Sequence, residues 1–313
     1  MRCYRYRLRQ ISGAKTPWHS DTLWGQLCWI YRDLKGEPAL IELLQEVKSG
    51  AAPFVVSDGF PAGFLPLPAG GSCFAANVSA EKKSAGIEQM KTAKHAKRLQ
   101  YLPQDQFNLV IQGEKIVKSP QELSQPPEDI AVIQTKNVIS RLNNTVEENG
   151  LYQLQWTLPG ESGELDVYVL VREDFKDTLK ECFEYMAQYG FGGKVSIGLG
   201  AFEIKDTVEF TFPQVDKPNC FITLSHCTPC ADMPTQAHYK LVIKYGKLGH
   251  DRSRQGEPFK KPVIQFEPGA VFWGPPPAGG YCGCLVENVA FDYADTVQCG
   301  LSIAVPARMK EVD

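Results

Sequence analysis

The chain has 313 residues, of which 43% are hydrophobic and 22% charged, and a formal net charge of −3 at pH 7. This length predicts two domains with a sizeable buried core, and the composition is typical of a soluble globular protein. The negative charge argues against unspecific binding to long DNA, because such binders are usually basic, but it is compatible with a local basic groove. No apolar run approaches the ~20 residues that span a bilayer. The N-terminus has no apolar signal region. Ten cysteines therefore indicate reduced thiols and a cytoplasmic protein without membrane contact.

The first two thirds of the chain alternate strand and helix signals. The predicted elements are, in order, a strand over 2–11, a helix over 21–35 capped by Ser20, a shorter helix from Pro38 to before Gly50, a short strand over 53–57 with a turn at Asp58-Gly59, a hairpin of 151–158 with 165–171, a helix over 173–189, and one or two strands over 202–212. The order strand, helix, strands, helix, strand is that of a ferredoxin-like βαββαβ unit.

The remaining segments differ in composition. Residues 69–127 are rich in Gly, Ser, Lys and Gln and predict an insertion outside the core. Residues 213–313 alternate short β-type runs with Gly and Pro turns, which favours a mostly β second domain and leaves open a degenerate second copy of the first unit. The predicted fold class is α+β, with a first domain over 1–212 and a second over 213–313.

The most informative motif is a glycine-dense loop, GFGGKVSIGLG, over residues 190–200. Its five glycines permit positive φ and close approach of another chain. The bare N–H groups of such a turn form a nest for anions such as phosphate, to which Lys194 adds a charge and Ser196 a hydroxyl. The lysine is followed by Val195 and a strand, which excludes a Walker A loop. The loop also follows its helix, which excludes a Rossmann fingerprint.

Positive charge is concentrated in two segments. The first strand places Arg5, Arg7 and Arg9 on one face, because side chains alternate along a strand. The second segment, residues 81–101, opposes two glutamates with six cations: Lys82, Lys83, Lys91, Lys94, Lys97 and Arg98. Each segment is either a nucleic-acid surface or a solvated polar face.

Two chemical alternatives remain open. His19, just before the first helix, has the chemistry of a general base in a metal-free ribonuclease, and it is also compatible with an RNA-contacting or structural role. The pairs Cys227-x2-Cys230 and Cys282-x-Cys284 carry thiolates that suit zinc. However, about 50 residues separate the two pairs, which lies outside the usual spacing of zinc motifs. No two-metal nuclease set is evident.

Four segments occur together in a distinctive order. They are His19 to Leu23 at the first helix, Phe54 to Pro61 with Leu65 to Pro68, Asn137 to Arg141 with Asn143 to Tyr152, and Gly192 to Gly200 in the glycine loop. Together they resemble the RAMP superfamily of CRISPR ribonucleoproteins, most closely the subunit of type III-A (Csm) effector complexes that caps the 5′ handle of the crRNA.

The resemblance implies two ferredoxin-like (RRM-related) modules, the first with a long basic insertion, and neither a cofactor, a metal nor a nuclease activity of the subunit's own. It implies two protein partners, the large polymerase/cyclase-like subunit and a backbone RAMP subunit. It further implies that the crRNA handle is held by His19, Ser20, Lys91, Lys94, Lys97, Arg98, Asn137, Arg141, Gly192, Gly193, Lys194, Ser196 and Gly198. Candidate faces for stacking bases are Tyr4, Tyr6, Tyr101, Tyr152 and Tyr281.

The resemblance leaves two questions open. Val195 and Ile197 stand where the family loop often has further basic residues, so either Lys194 or the backbone amides make the main phosphate contact. The alternative function is a metal-independent crRNA-processing endoribonuclease of the same superfamily with His19 as base. In those enzymes the glycine loop typically lies close to the C-terminus, whereas here 113 residues follow Gly200. This position favours the RNA-binding subunit.

Overall fold

The computed structural model describes residues 1–70, 73–74, 98–249, 252 and 256–310. The helices are α1 (Ser20–Lys35), α2 (Glu37–Lys48), α3 (Gln104–Ile111) and α4 (Lys176–Tyr189). Up to residue 212 the strands are β1 (Arg2–Gln10), β2 (Phe54–Pro61), β3 (Phe64–Pro66), β4 (Tyr101–Pro103), β5 (Ile130–Ile139), β6 (Val146–Leu158), β7 (Glu164–Val171) and β8 (Phe202–Glu209). Among all the described residues, no helix is long and apolar enough to cross a membrane.

The first half is built on an antiparallel sheet with the strand order β2-β7-β1-β8. Its connectivity is β1, α1, β2, β7, α4, β8, which is the predicted βαββαβ order. Side chains alternate across a strand, so Tyr4, Tyr6 and Leu8 of β1 lie on one face and are buried. Tyr6 stacks on Phe183 of α4 with ring centroids 4.3 Å apart. The core therefore lies between this face of the sheet and the helices.

The predicted hairpin of 151–158 with 165–171 is wrong. β6 pairs instead with β5, from Ile130 opposite Leu158 to Ile139 opposite Val146. β7 pairs with β1 on one side and β2 on the other. The physical reason is burial: β7 is almost entirely buried and belongs at the centre of a covered sheet, whereas most side chains of β6 are exposed.

The predicted turn at Asp58-Gly59 is also wrong. β2 continues through these residues to Pro61, with a register shift between Val56 and Gly59 that marks a β-bulge. Gly59 is needed there because a Cβ would lie 2.7 Å from the Cβ of Trp18. The bulge turns Asp58 into the protein interior, where it becomes central to the site described below.

The composition of segment 69–127 predicts a position outside the core, but several of its described side chains are part of the core. Leu102, Phe107 and Ile111 are each fully buried in the main core. β4 pairs with β3, which joins this segment to the first half. The amphipathic pattern of α3 is short and is hidden by the polar composition around it. Lys82, Lys83, Lys91, Lys94 and Lys97 lie outside the described residues.

The second half contains β9 (Cys220–Thr223), β10 (Ala237–His238), β11 (Leu241–Lys244), β12 (Val263–Phe266), β13 (Val271–Trp273), β14 (Tyr281–Cys282), β15 (Leu285–Val286), β16 (Gln298–Cys299) and β17 (Ser302–Ala307). Five strands form a sheet in the order β10-β13-β9-β17-β14, and β11-β12 and β15-β16 are two-stranded ribbons. From residue 213 onward the described residues include no α-helix, in agreement with a mostly β half.

One hydrophobic core joins the two halves. Ile222, Trp273 and Val305 belong to the same buried cluster as the residues of the first sheet. The Ser225 hydroxyl donates to the Val56 carbonyl at 2.9 Å, which ties the end of β9 to β2. A domain boundary at residues 212 and 213, and a second ferredoxin-like module, therefore stay predictions.

Two glycines of the loop provide a matched test of its backbone. At Gly198 (φ +91°) an added Cβ would meet open space, whereas at Gly200 (φ +78°) it would lie 2.0 Å from the Phe191 carbonyl oxygen. Gly198→Ala should cost roughly 1–2 kcal/mol, the penalty of the left-handed region. Gly200→Ala should cost clearly more and lower the thermal unfolding midpoint further. Equal midpoints for the two variants would contradict this steric account.

Candidate nucleic-acid interface

The glycine loop is held at its base and exposed at its tip. The Gly190 amide donates to the Met186 carbonyl at 2.8 Å and ends α4 with φ +90°. Across the base of the loop, the Phe191 amide donates to the Gly200 carbonyl at 2.8 Å. The Phe191 ring stacks on Trp18 with centroids 4.0 Å apart. Residues 194–198 project from this buried base and are exposed.

The amides of the glycine pair are used inside the protein. The Gly192 N–H donates to Oε1 of Gln26 at 2.9 Å, and the Gly193 N–H donates to Oγ1 of Thr16 at 2.9 Å. Gln26 also donates from Nε2 to the Gly190 carbonyl at 2.7 Å. A Cβ at Gly192 would lie 2.6 Å from the Cβ of Thr16. These glycines thus allow close packing of the loop on α1 and the segment before it.

The amides that face outward come next in the chain. Residues Val195–Ile197 form a single 3-10 turn preceded by Lys194 in the left-handed conformation at φ +69°. Within the described structure, the N–H groups of Lys194, Val195 and Ser196 have no hydrogen-bond acceptor. Successive unpaired amides beside a left-handed residue form an anion-binding nest. The nest therefore lies one or two residues beyond the glycine pair, and the Lys194 side chain is beside it.

A cleft of about 590 Å³ lies next to the loop, lined by residues of both halves. Lys15 and Thr16 line this cleft, and Thr16 is also the residue that binds the Gly193 amide. Tyr101 and Lys240 also line the cleft. The segment before α1 therefore connects the anion nest to a concave surface that carries cations and an aromatic ring.

His19 lies in the wall of the cleft and is neutral at pH 7. Its Nδ1 accepts a hydrogen bond from Nζ of Lys244 at 2.7 Å, and its ring centroid is 4.2 Å from that of His226. Burial lowers the pKa of His19 to about 4, helped by the Lys244 and His226 charges and opposed by Asp58 and Asp21. Since Nδ1 is the acceptor, the ring proton is on Nε2.

A buried carboxylate supports His19 from behind. Asp58 Oδ1 accepts from the Ser20 amide at 2.9 Å and the His226 amide at 3.1 Å, and Oδ2 lies 2.7 Å from Nδ1 of His226. Burial alone would raise the pKa of Asp58, but His226, His19 and the Ser20 amide hold it below its usual range. The carboxylate thus stays ionised and fixes the start of α1.

The second half contributes further polar groups to this network. Lys244 donates to Oδ1 of Asp21 at 2.8 Å, and Gln298 donates from Nε2 to Oδ2 of the same carboxylate. Lys260 donates to Oε1 of Gln298 at 2.7 Å, and burial lowers the pKa of Lys260 to about 8. The two links to Asp21 join α1 to the second half, and Lys260 supports Gln298 from within that half.

The arrangement of His19, Asp58 and His226 superficially resembles a metal site. Their ligand atoms lie within 4.8 Å of one another. However, the Lys244 ammonium is 2.7 Å from Nδ1 of His19 and repels a cation there. The Asp58 oxygens already accept three hydrogen bonds from Ser20 and His226. The group therefore fits a hydrogen-bonded network better than a metal centre.

The predicted contact residues fall in different places. His19 and the loop residues are brought together through Lys15 and Thr16. Ser20 is buried, and its hydroxyl accepts from the His226 amide at 3.1 Å, so it supports the network. Asn137 and Arg141 are exposed near the far end of the β5-β6 hairpin, and neither lines the cleft. Arg98 is exposed, while Lys91, Lys94 and Lys97 lie outside the described residues.

The basic face of β1 is neutralised by neighbouring strands. Arg7 forms two 2.9 Å hydrogen bonds with Asp166, and Arg5 pairs with Asp206 at 3.3 Å. The arginine face of β1 is therefore an ion-paired polar surface.

Of the candidate tyrosines, Tyr4 and Tyr6 are buried, whereas Tyr152 of the β5-β6 hairpin is 44% exposed.

Sequence reasoning missed the residues that hold the site in place. Thr16 and Gln26 carry no motif, because a polar side chain that binds a distant amide looks like any surface residue. His226 directly precedes Cys227 and belongs to no motif of its own. Asp58 had one signal, the Asp58-Gly59 dipeptide, which is typical of a turn and here forms a bulge.

The protonation of His19 makes a pH-dependent prediction. Its folded pKa of about 4 lies below the unfolded value near 6.5, so between these values the unfolded state binds more protons. Its contribution to stability is therefore complete above about pH 6.5 and is lost as the pH falls towards 4. The urea midpoint of the wild type should drop between pH 7 and pH 5, and His19→Gln should reduce that drop.

His238→Gln, outside the network, serves as the control and should keep the wild-type change. Asp58 does not confound this window, because its lowered pKa affects stability only below about pH 4. An undiminished drop in His19→Gln would contradict the assignment.

Residues 16–203 match the family model of the RAMP superfamily. The protein called CRISPR system Cms protein Csm4, from Thermococcus onnurineus (strain NA1), is 24% identical over 266 residues, which cover 80% of this chain and 83% of that protein. A chain in the crystal structure of a Csm1-Csm4 cassette in complex with pppApA has a TM-score of 0.61 at 17% identity, with 100% of both chains covered.

A chain in the crystal structure of a Csm3-Csm4 subcomplex of the type III-A CRISPR-Cas interference complex also has a TM-score of 0.61, at 13% identity over 98% of this chain and 100% of that chain. At these identities the two structures establish a shared fold. The family match covers well over half of the chain, including α1, β2 and the glycine loop, and it confirms the predicted relationship. The chain belongs to the RAMP superfamily.

Proposed function

We propose that this chain is an RNA-binding structural subunit of a type III-A CRISPR effector complex. In this role it holds the 5′ handle of the crRNA and bridges the large polymerase/cyclase-like subunit to the backbone RAMP subunits. The observation that carries the proposal is the exposed nest of three amides at Lys194, Val195 and Ser196, next to a cleft lined by residues of both halves. The sequence relative named Csm4, and the shared fold with chains from Csm1-Csm4 and Csm3-Csm4 structures, support the choice of complex.

The proposed architecture is a pair of ferredoxin-like (RRM-related) modules over residues 1–212 and 213–313. The βαββαβ connectivity of the first sheet supports this for the first module. For the second module the support is an antiparallel five-stranded sheet with β9 at its centre. The long insertion lies between β2 and β7 and includes the lysine-rich segment.

The loop binds RNA through its backbone first. A phosphate seated on the three amides accepts their hydrogen bonds without any sequence preference, because every nucleotide carries the same phosphate. Lys194 then adds a charge-assisted hydrogen bond to the same group. Val195 and Ile197 are partly exposed beside it and present apolar surface to a ribose or a base.

The cleft receives the neighbouring nucleotides. A volume of about 590 Å³ is within the range of small-molecule pockets, so it accommodates a nucleotide. Lys15 and Lys240 provide charge for a phosphate, and the Tyr101 ring provides a face for a base. The neutral His19 offers its Nε2–H as a donor, in keeping with RNA contact.

The β5-β6 hairpin provides a second point of contact. Its base is fixed, because Thr157 and Ala14 exchange backbone hydrogen bonds at 2.8 and 2.9 Å. Its far end carries the exposed side chains of Asn137 and Arg141, in line with a contact to RNA beyond the part held by the loop. The lysine-rich segment with Lys91, Lys94, Lys97 and Arg98 is proposed as a further RNA contact.

The state of His19 supports a role without turnover. A general base at neutral pH needs a pKa near the working pH and a free acceptor nitrogen. Burial lowers the pKa of His19 to about 4, and the lone pair on Nδ1 already accepts from Lys244. The processing ribonuclease is therefore the weaker alternative.

An assembly role also accounts for apolar side chains on the surface. Leu241, Ile243 and Ile264 share the outer face of the β11-β12 ribbon, and each is 56% exposed. Apolar patches of this kind mark protein-protein contacts. They are consistent with a subunit that meets two protein partners, and with its slightly negative net charge.

The nest predicts the effect of a charge reversal. Lys194→Glu should weaken binding of a fluorescently labelled 5′ handle RNA at least about tenfold, because it replaces a charge-assisted contact by repulsion. Lys180→Glu, the same change on the exposed side of α4, should leave binding within about twofold. Fluorescence anisotropy at several salt concentrations measures both, and the salt dependence should be shallow because few phosphates are held.

Equal affinities for Lys194→Glu and wild type would contradict the proposed phosphate site. The same RNA incubated with wild-type protein in EDTA tests the alternative function. Site-specific cleavage that His19→Ala abolishes would replace the structural role by that of a processing ribonuclease.

The bridging role predicts a pattern of co-purification. Tagged chain co-expressed with the large and backbone subunits and crRNA should retain both proteins. Omission of this chain should separate the large subunit from the backbone subunit. The Lys194→Glu chain should still retain the large subunit, because the nest contacts RNA. Recovery of an intact large-backbone complex without this chain would contradict the bridging role.

A further inference from the structure

Two cysteine pairs that are distant in sequence meet in the second half. Cys227 and Cys230 follow β9, whereas Cys282 and Cys284 lie at the end of β14 and just beyond it. The Sγ atoms of Cys227 and Cys282 are 3.9 Å apart. In a tetrahedral site with Zn–S bonds of about 2.3 Å, two sulfurs are separated by about 3.8 Å. The two thiols are in hydrogen-bond contact, and their separation matches one edge of a zinc tetrahedron.

Cys284 lies beside the turn that carries the first cysteine pair. Its Sγ is 3.7 Å from the carbonyl oxygen of Pro229, the residue before Cys230. Thiolates on two adjoining turns repel one another unless a cation lies between them. A bound metal reverses this effect, because it stabilises the thiolate form of each ligand.

The backbone between Cys282 and Cys284 is shaped around the cluster. Gly283 has φ +88°, and a Cβ there would lie 3.0 Å from Sγ of Cys227 and 2.0 Å from the carbonyl oxygen of Gly300. Only glycine permits this close approach of the turn to the Cys227 sulfur.

A single residue holds both cysteine turns. The Gly300 carbonyl accepts from the Thr228 amide at 3.0 Å, and the Gly300 amide donates to the Cys284 carbonyl at 3.0 Å. A Cβ at Gly300 would lie 2.2 Å from Oγ1 of Thr228. The chain between β16 and β17 thus fixes the two turns against each other, whether or not a metal is bound.

The exposure of the four cysteines leaves an entry path. Cys227 and Cys282 are buried, whereas Cys230 and Cys284 are partly exposed. The Cys284 thiol contacts the Pro229 carbonyl at 3.7 Å. Among the described residues, no third cysteine sulfur lies within 4.8 Å of both Cys227 and Cys282, so the side chains of Cys230 and Cys284 must rotate towards this pair to complete a four-sulfur set.

We propose that Cys227, Cys230, Cys282 and Cys284 bind one structural Zn²⁺ that joins the turn after β9 to the turn after β14. Four thiolates leave no open position on the metal, so the site is structural and has no catalytic role. The proposal departs from the expectation of a metal-free protein, and it does not depend on the proposed RNA-binding role.

Metal analysis of the full chain, purified under reducing conditions without chelator, tests the site. Mass spectrometry should find about one zinc per chain, and X-ray absorption should find four sulfurs at about 2.3 Å. After chelator treatment the unfolding temperature should fall. Addition of Co²⁺ to the stripped wild type should produce the absorption bands of tetrahedral cobalt thiolate. A stripped wild-type chain that gives no such bands would overturn the proposal without any mutation.

The variants distinguish these ligands from other thiols. The double variant Cys230→Ser, Cys284→Ser changes the two partly exposed ligands and should retain less than a tenth of the wild-type zinc. Cys3→Ser, a partly exposed cysteine outside the cluster, should retain all of it. Equal zinc in the double variant and in Cys3→Ser would also overturn the proposal, because the metal would then be bound elsewhere.

Discussion

The ionised Asp58 carboxylate, buried where the two halves meet, is the constraint on which the rest of the structure depends. A buried charge is tolerated only when hydrogen bonds and opposite charges compensate it, and removal of one partner is costly. Here the compensation comes from the start of α1, through the Ser20 amide, and from the second half, through the amide and ring of His226. The bulge in β2 points the carboxylate inward. Helix, sheet and second half are thereby fixed relative to one another, and His19 is fixed with them.

The glycine loop takes its position from the same helix. Gln26 of α1 binds both Gly190 and Gly192, and Thr16, just before α1, binds Gly193. The loop tip is therefore presented on a rigid base although it is exposed, and its three unpaired amides point outward in a fixed geometry. Such preorganisation strengthens binding, because little conformational entropy is lost when a phosphate is seated. An RNA end that must be held in one register benefits from this arrangement.

The short segment that contains β16 and the start of β17 connects the interface to the cysteine cluster. Gln298 donates to Asp21 of α1, Gly300 holds both cysteine turns, and the Ser302 hydroxyl accepts from the Ser225 amide at 3.0 Å. A metal at the cluster would thus stabilise a segment that also contacts the first half. Through this segment, a structural zinc would also stabilise the cleft, although the metal itself would lie outside the cleft.

The sequence by itself determined the elements whose signals are local. The apolar periodicity of α1 and α4, the stops at Gly36 and Gly190, and the glycine loop between helix and strand were all readable, because each depends on neighbours within a few residues. The resemblance carried by four short segments identified the superfamily. Tertiary structure decided the rest. Asp58 and His226 are 168 residues apart in the sequence. β7 pairs with β1 and β2 and not with its sequence neighbour β6. Such pairings depend on which surfaces become buried together. The amides of Gly192 and Gly193 looked available in the sequence and are occupied in the fold, since only the folded chain brings Gln26 and Thr16 to them.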